Sequence, residues 1–433
     1  MSRRPTPPRR LTPALGAALA ATALALAASA VSVAGQAHAA TTLPSADSPA
    51  LVSSDLSVTG RPGGWTGAWT SGQQRLVGTT FTDQTLRLLV HPTLGGSSIR
   101  IRLADTFGDA DQTFDAVSVG IAASASGADL VPGTARTVRF DGTTSVTVLQ
   151  GSRAVSDPVP LKVSYGQTLA VDLYVRTSSA TALTGHASAG QGSFSASGNQ
   201  AGAIAGTAFT GQLTSWYWLD GVDVRGSAAV RGSVIALGDS ITDGAYAAWN
   251  GNRRWPDDLA ARLQALPGGA PLGVLNEGIG GNRVIAYRGD CCGTSDSALA
   301  RLDRDVIAQT GARTLFIADG INDIGYHADA ASLIAGLHQL AVQAHAAGLR
   351  VVAATITPYG GGFDATQEAT RQSVNAWIRT SHDLDGYAEF AHAVEDPAQP
   401  SQLLAAYDAG DHLHLNDAGY QKLADSISLR LLG

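Results

Sequence analysis

The stretch Val234-Ile235-Ala236-Leu237-Gly238-Asp239-Ser240-Ile241-Thr242-Asp243-Gly244 decides the fold of the C-terminal half. Four apolar residues in a row suit a strand buried on both faces, and the Gly-Asp-Ser that follows turns the chain sharply toward a helix. Three more short apolar runs come later, at 273–275, 314–318 and 351–356. Between them, 255–266, 298–307, 330–347 and 366–378 carry apolar residues three and four apart, the period of a helix. Asp257 and Asp258 fall in the first turn of one such helix, while Asp329 caps another and Gly348 ends it. A last amphipathic helix begins at Asn416 or Asp417 and buries Leu423, Ile427 and Leu431. Strand and helix in alternation predict an α/β fold, a parallel sheet covered on both faces.

Upstream, between Trp65 and Val224, the period is two. Ile99, Ile101 and Leu103 flank Arg100 and Arg102, Val138 and Phe140 flank Arg139, and Leu169, Val171, Leu173 and Val175 form another set. Broken by glycine-rich turns, this pattern predicts antiparallel strands with one wet face, a β-sandwich-like domain. Trp65, Trp69, Trp216 and Trp218 mark its two ends; packing of the first and last strands is the expectation, a sugar-stacking platform the alternative. The join lies near 226–232, giving a β-rich domain over 40–228 and a second domain over 229–433.

The first 39 residues read differently from both. Arg3, Arg4, Arg9 and Arg10 come without an acidic residue, 14–33 is almost continuously Ala, Leu and Val, and Ala37-His38-Ala39 follows. These are the three parts of an export signal, so cleavage after Ala39 and a secreted, extracellular protein without a stable membrane anchor are expected. The Sec and Tat routes both stay open, and an uncleaved anchor is the alternative. The whole chain of 433 residues has 29 basic and 36 acidic residues, a charge of -7; losing four arginines leaves 25 against 36, or -11. With no basic excess to neutralise phosphates, nucleic acid is excluded as a partner. The 44% hydrophobic and 15% charged content excludes a disordered chain. The only two cysteines, Cys291 and Cys292, are adjacent, and a vicinal disulfide and two free thiols are both open readings.

Ligands of an open α/β sheet bind beyond the carboxyl ends of its strands. Ser240 sits there on a sharp turn, with backbone N–H groups nearby for a developing oxyanion. Asn276-Glu277-Gly278-Ile279-Gly280-Gly281-Asn282 follows the second strand and Asp319-Gly320-Ile321-Asn322-Asp323 the third. Asp411-His412-Leu413-His414 precedes the last helix and offers an imidazole with a carboxylate three residues earlier. Asp239 and Asp323 read as carboxylates that stabilise turns, and Arg253 and Arg254 as solvated charges at a helix entry. Gly278-Ile279-Gly280-Gly281 has Arg283 where a dinucleotide loop needs its third glycine, so no cofactor is expected. Asp411, His412 and His414 could ligate a metal, but no His-Glu-x-x-His accompanies them, so no metal is expected.

These segments, in this order, resemble the four signature blocks of the SGNH hydrolases, the GDSL-type esterases and lipases, with Ser240, Gly281, Asn322 and His414 in place. The resemblance spans about 233–433 and implies a flavodoxin-like doubly wound parallel sheet. Trp65-Thr66-Gly67-Ala68-Trp69 and Asn252-Arg253-Arg254-Trp255-Pro256 are similar to a secreted actinobacterial subgroup with an N-terminal β-domain, related to arylesterases and polysaccharide-associated acylhydrolases. A serine is a poor nucleophile at neutral pH, so His414 is expected to take its proton and Asp411 to hold the imidazole. Ser240 N–H, Gly281 N–H and the Asn322 amide are expected to surround the oxyanion. His412 departs from the small residue the family has there; the three-residue spacing from Asp411 favours His414 as the base. The expected function is a secreted serine esterase acting on small-molecule or polysaccharide acyl esters. A lipase or phospholipase for longer chains, and an inactive glycan-binding protein, are the alternatives.

Overall fold

The computed structural model describes residues 64–178, 181–289 and 295–433. The export segment and the Cys291 and Cys292 pair lie outside the described residues. The main strands of the N-terminal half are β1 (Trp65–Thr70), β2 (Thr82–Val90), β3 (Ile99–Ala104), β4 (Ala116–Ile121), β5 (Leu169–Thr177), β6 (Ala182–His186), β7 (Ser193–Ser197) and β8 (Leu219–Arg225). One antiparallel sheet runs β1–β8–β3 and another β7–β2–β5–β4, each with short strands at its edges. Ile99, Ile101 and Leu103 from the first and Leu86, Leu88, Val171 and Leu173 from the second enter one buried cluster, as a sandwich requires. Trp69, Trp216 and Trp218 are buried in it, Trp69 edge-on to Trp216 at 4.9 Å, so these tryptophans pack rather than present a platform.

The face of β3 that carries Arg100 and Arg102 is not wet. Arg100 donates to Asp223 (2.9 Å), which also accepts the Thr310 hydroxyl of the C-terminal half (2.9 Å). Arg102 is buried and donates to Gln309 of that half at 2.7 Å. Alternation marked the face as polar correctly, but its covering is protein instead of water. Breaking one partner of such a buried charged seam costs about 3–5 kcal/mol.

The C-terminal half holds β9 (Gly232–Gly238), β10 (Leu272–Gly278), β11 (Ala312–Ala318), β12 (Arg350–Ala354) and β13 (Gly386–Ala388). They form one parallel sheet in the order β10–β9–β11–β12–β13, the flavodoxin-like order. Its helices are α1 (Ser240–Asp243), α2 (Trp255–Gln264), α3 (Ala298–Leu302), α4 (Ile321–Gly325), α5 (Ala330–Ala346), α6 (Ala365–Thr380), α7 (Phe390–Val394) and α8 (Asp417–Ser426). The side chains of Asp329 and Asn416 cap α5 and α8 as predicted. The stretch read as one helix over 298–307 instead passes from α3 into a π turn at Asp303–Ile307. No helix among the described residues is long and apolar enough to cross a membrane.

The β-half covers the open edge of the parallel sheet. Thr93 Oγ1 accepts the Val274 N–H of edge strand β10 (3.0 Å), and the Gly67 carbonyl accepts the Ser233 hydroxyl (2.8 Å). An edge strand left bare would be a template for unwanted pairing. The described residues accordingly belong to one compact unit.

Candidate active site

Strands β9, β10 and β11 end level, with Gly238 in register with Gly278 and Ala318. The loops leaving those ends bring the three candidate segments together. Asp239 stops β9 in an extended conformation and accepts the Ile241 N–H on its carboxylate (2.9 Å), which starts α1 at Ser240. The Ser240 N–H lies in a first helical turn, where backbone donors have no partner within the helix. Gly278 lets β10 come close, because a Cβ there would overlap the Asp243 backbone nitrogen. Asn276 fixes the turn from the side by donating to the Thr242 carbonyl (2.8 Å).

Ser240 Oγ lies 2.8 Å from His414 Nε2, and His414 Nδ1 lies 2.6 Å from Asp411 Oδ2. The other Asp411 oxygen accepts the backbone N–H groups of His414 (2.8 Å) and Leu413 (3.1 Å). Burial alone would raise the Asp411 carboxyl, but the His414 ring and those two backbone donors outweigh it and hold it below the usual carboxylate range. His412 belongs to a different pair: it is 69% exposed and its Nδ1 lies 2.6 Å from Asp408. Among the described residues no group of three or more His, Cys, Asp or Glu is placed to hold a metal ion.

Gly281 adopts φ 72°, a conformation that favours glycine, and the Arg288 guanidinium occupies the space a side chain would need. Asn322, in α4, donates one amide N–H to the Asn282 carbonyl at 3.0 Å. Asn282 is fixed in turn by Arg301, whose Nε and Nη2 reach its Oδ1 at 3.0 and 2.9 Å. Arg301 is fully buried and also donates to the carbonyls of Gly238 (3.0 Å) and Glu277 (2.8 Å). One guanidinium thus ties the ends of β9 and β10 to the glycine loop. Asp323 accepts the Val284 (2.8 Å) and Ile285 (3.1 Å) N–H groups, the turn-stabilising work expected of it. Burial raises its carboxyl despite those bonds, and burial together with Asp323 and Asp243 pushes Asp239 up to about 7.

Residues 236–422 match the GDSL-like lipase/acylhydrolase family. That stretch of the C-terminal half is a domain similar to that family. Solved structures similar to it include a carbohydrate acetylesterase from Sinorhizobium meliloti, at 15% identity and TM-score 0.36 over 44% of this chain and 94% of that one. A GDSL-like lipase from Bacteroides thetaiotaomicron is similar at 18% identity and TM-score 0.35, over 46% of this chain and 87% of that one. A member of the lipolytic G-D-S-L family from Veillonella parvula is similar at 20% identity and TM-score 0.34, over 45% of this chain and 94% of that one. Comparison with curated proteins finds no match.

The β-half also contributes to the site, which the sequence did not disclose. A cavity of about 320 Å³ is lined by Ser240, Tyr246 and Trp249 together with Ser188, Gly190 and Thr214 of the β-half. Tyr246 is 63% exposed, and its ring lies 5.4 Å from the His414 ring at 32°. Arg254, expected to be a solvated charge, is buried and donates to the Ala189 carbonyl at 2.6 Å. It acts as a strut that holds the β-half loop against α2. Arg253 stays partly exposed and pairs with Asp258 at 3.1 Å.

Proposed function

We propose that this acylhydrolase is a secreted serine esterase that hydrolyses carboxylic (acyl) esters, short-chain or carbohydrate-linked. The 2.8 Å contact between Ser240 Oγ and His414 Nε2 carries the reading. With its Nδ1–H given to Asp411, a neutral His414 has its lone pair at Nε2, facing the serine hydroxyl. As Ser240 Oγ attacks the acyl carbon, His414 takes its proton and then returns it to the departing alcohol oxygen, leaving an acyl-enzyme. A water deprotonated by the same imidazole hydrolyses that ester and restores Ser240. The oxyanion is assigned to Ser240 N–H, Gly281 N–H and the second N–H of the Asn322 amide. Losing one such donor typically costs about a hundred- to a thousandfold in rate.

Two observations support a small or sugar-bearing substrate. A cavity of about 320 Å³ stands at the small end of ligand pockets. Its rim exposes Tyr246 and Trp249, whose flat faces suit a sugar ring. Secretion rests on the first 39 residues, and an exported chain that begins at Ala40 by N-terminal sequencing checks it. The activity is tested with p-nitrophenyl esters from acetate to palmitate and with O-acetylated sugars, using wild type and Ser240→Ala. Fastest turnover of short esters, abolished in Ser240→Ala, is expected. Fastest turnover of palmitate would make the protein a lipase, and silence on every ester would make it a binding protein.

A further inference from the structure

His186 ends β6 in the β-half and is 2% exposed. Its Nδ1 lies 2.8 Å from the Gly72 carbonyl, and its Nε2 lies 3.0 Å from Asp243 Oδ1 and 3.2 Å from the Ser188 carbonyl. All three partners are acceptors. A neutral imidazole has one N–H, so its other nitrogen would set a lone pair against an oxygen lone pair inside the protein. The imidazolium has two N–H groups and satisfies both sides. Burial works against that charge, but Asp243, its hydrogen bond and the Gly72 carbonyl outweigh it and raise the ring above its ordinary value. The other charged group near the ring is Arg254, which opposes protonation and lies 3.8 Å from its own partner Asp257. The Trp216 ring, at 5.6 Å, is the aromatic neighbour.

Asp243 closes the turn that Ser240 begins, and its second oxygen accepts the Gly280 N–H at 3.1 Å. One carboxylate therefore joins the nucleophile turn, the glycine loop and the β-half. Two consecutive glycines have little steric preference of their own, so the direction of the Gly281 N–H depends on what anchors the loop: Asp243 on the Gly280 N–H, and Arg288, which donates to the Gly280 carbonyl. We propose that His186 is a positioning residue supplied by the β-half. As a buried imidazolium it fixes Asp243, and through Asp243 it holds the Ile279–Gly280 peptide, and so the start of the loop from which the Gly281 N–H meets the oxyanion. The inference rests on the esterase reading of the site and adds to it that the β-half is part of the catalytic geometry.

The test uses the full chain with His186→Ala and His186→Gln, assayed on p-nitrophenyl acetate. Misplacing an oxyanion donor without touching the substrate lowers kcat about 10- to 100-fold and leaves KM within about threefold. His186→Gln, which keeps one N–H for Asp243, loses less than His186→Ala. The wild-type kcat profile falls on the alkaline side as His186 loses its proton; His186→Gln lacks that limb. Folded variants with kcat within about threefold of wild type, or an unchanged alkaline limb in His186→Gln, overturn the proposal. If neither variant folds, ring-nitrogen NMR shifts of wild-type His186 at about pH 7 decide it: an imidazolium supports the proposal and a neutral ring overturns it. Failure of the esterase reading shows elsewhere, as ester turnover that survives Ser240→Ala.

Discussion

Two imidazole–carboxylate pairs approach the nucleophile turn from opposite halves of the molecule, and they differ in what their second ring nitrogen meets. His414 gives Nδ1 to Asp411 and turns Nε2 to Ser240 Oγ, a hydroxyl that can donate as well as accept. In the proposed reaction it takes the proton of that hydroxyl. His186 has acceptors on both nitrogens and almost no exposure, so it holds its proton and serves as a fixed charge. In a third pair, His412 is bonded to Asp408 through Nδ1 and its ring lies largely in solvent. Nearness to a carboxylate is common to all three. What separates a base from a clamp is the second nitrogen and the water around it.

The largest expected effect breaks or keeps this distinction outright. His414→Ala should lower ester turnover by at least roughly a thousandfold, because nucleophile and base act as a unit. His412→Ala should stay within about threefold of wild type, since its ring bonds Asp408 and not Ser240. Turnover of p-nitrophenyl acetate by both variants, with circular dichroism to confirm folding, measures the contrast. The reverse ranking would move the base to His412.

The two pairs should also fail at opposite ends of the pH range. Asp411 has a depressed carboxyl, so its contribution to stability is present above the ordinary carboxylate value of about 4 and is lost as pH falls through the lower folded value. His186 is raised, so its contribution is full below the ordinary imidazole value of about 6.5 and is lost as pH rises through the higher folded value. In melting experiments the gap between wild type and His186→Gln should therefore be full below about pH 6.5 and narrow as pH rises above it. That gap should be on the order of 3 kcal/mol, as for a buried pair that loses one partner. For Asp411→Asn the gap should be only about 0–1 kcal/mol, constant through neutral pH and shrinking below about pH 4. Gaps that narrow on the same side would contradict the contrast.

Most of the fold was legible because it depends on local periodicity. Four of the five parallel strands come from apolar runs, whereas β13, Gly386-Tyr387-Ala388, has no such run and takes its place by pairing with β12. Ser240, Asp411 and His414 were legible because turns and short spacings place them. His186 and Asp243 lie 57 positions apart, and no period links them. Arg301 reads as an ordinary helix charge until its carbonyl partners from two strand ends are seen. Arg100 and Arg102 teach the same point for a sheet. Alternation says which side chains share a face, but what covers that face is a long-range fact.

The smallest effect concerns the aromatic ring beside each imidazole. Trp216 lies 5.6 Å from His186 at 36° and is buried, while Tyr246 lies 5.4 Å from His414 at 32° and is exposed. The geometries nearly match, but in the proposed reaction only His414 gains a charge. As it takes the Ser240 proton, the Tyr246 π face attracts the new imidazolium by about 0.5–1 kcal/mol, the size of an exposed cation–π contact. That energy appears in the transition state and not in the resting enzyme, so it acts on kcat. Tyr246→Ala should lower kcat for ethyl acetate about two- to fivefold, and Tyr246→Phe, which keeps the ring, should restore it. A short aliphatic acetate such as ethyl acetate has no ring to stack on the outer face of Tyr246, so its KM should move less than kcat. On an O-acetylated sugar the same Tyr246→Ala change should raise KM as well, because there the exposed ring also meets the substrate. An effect confined to KM with both substrates would show that Tyr246 serves binding alone and that the two aromatic neighbours are equivalent packing.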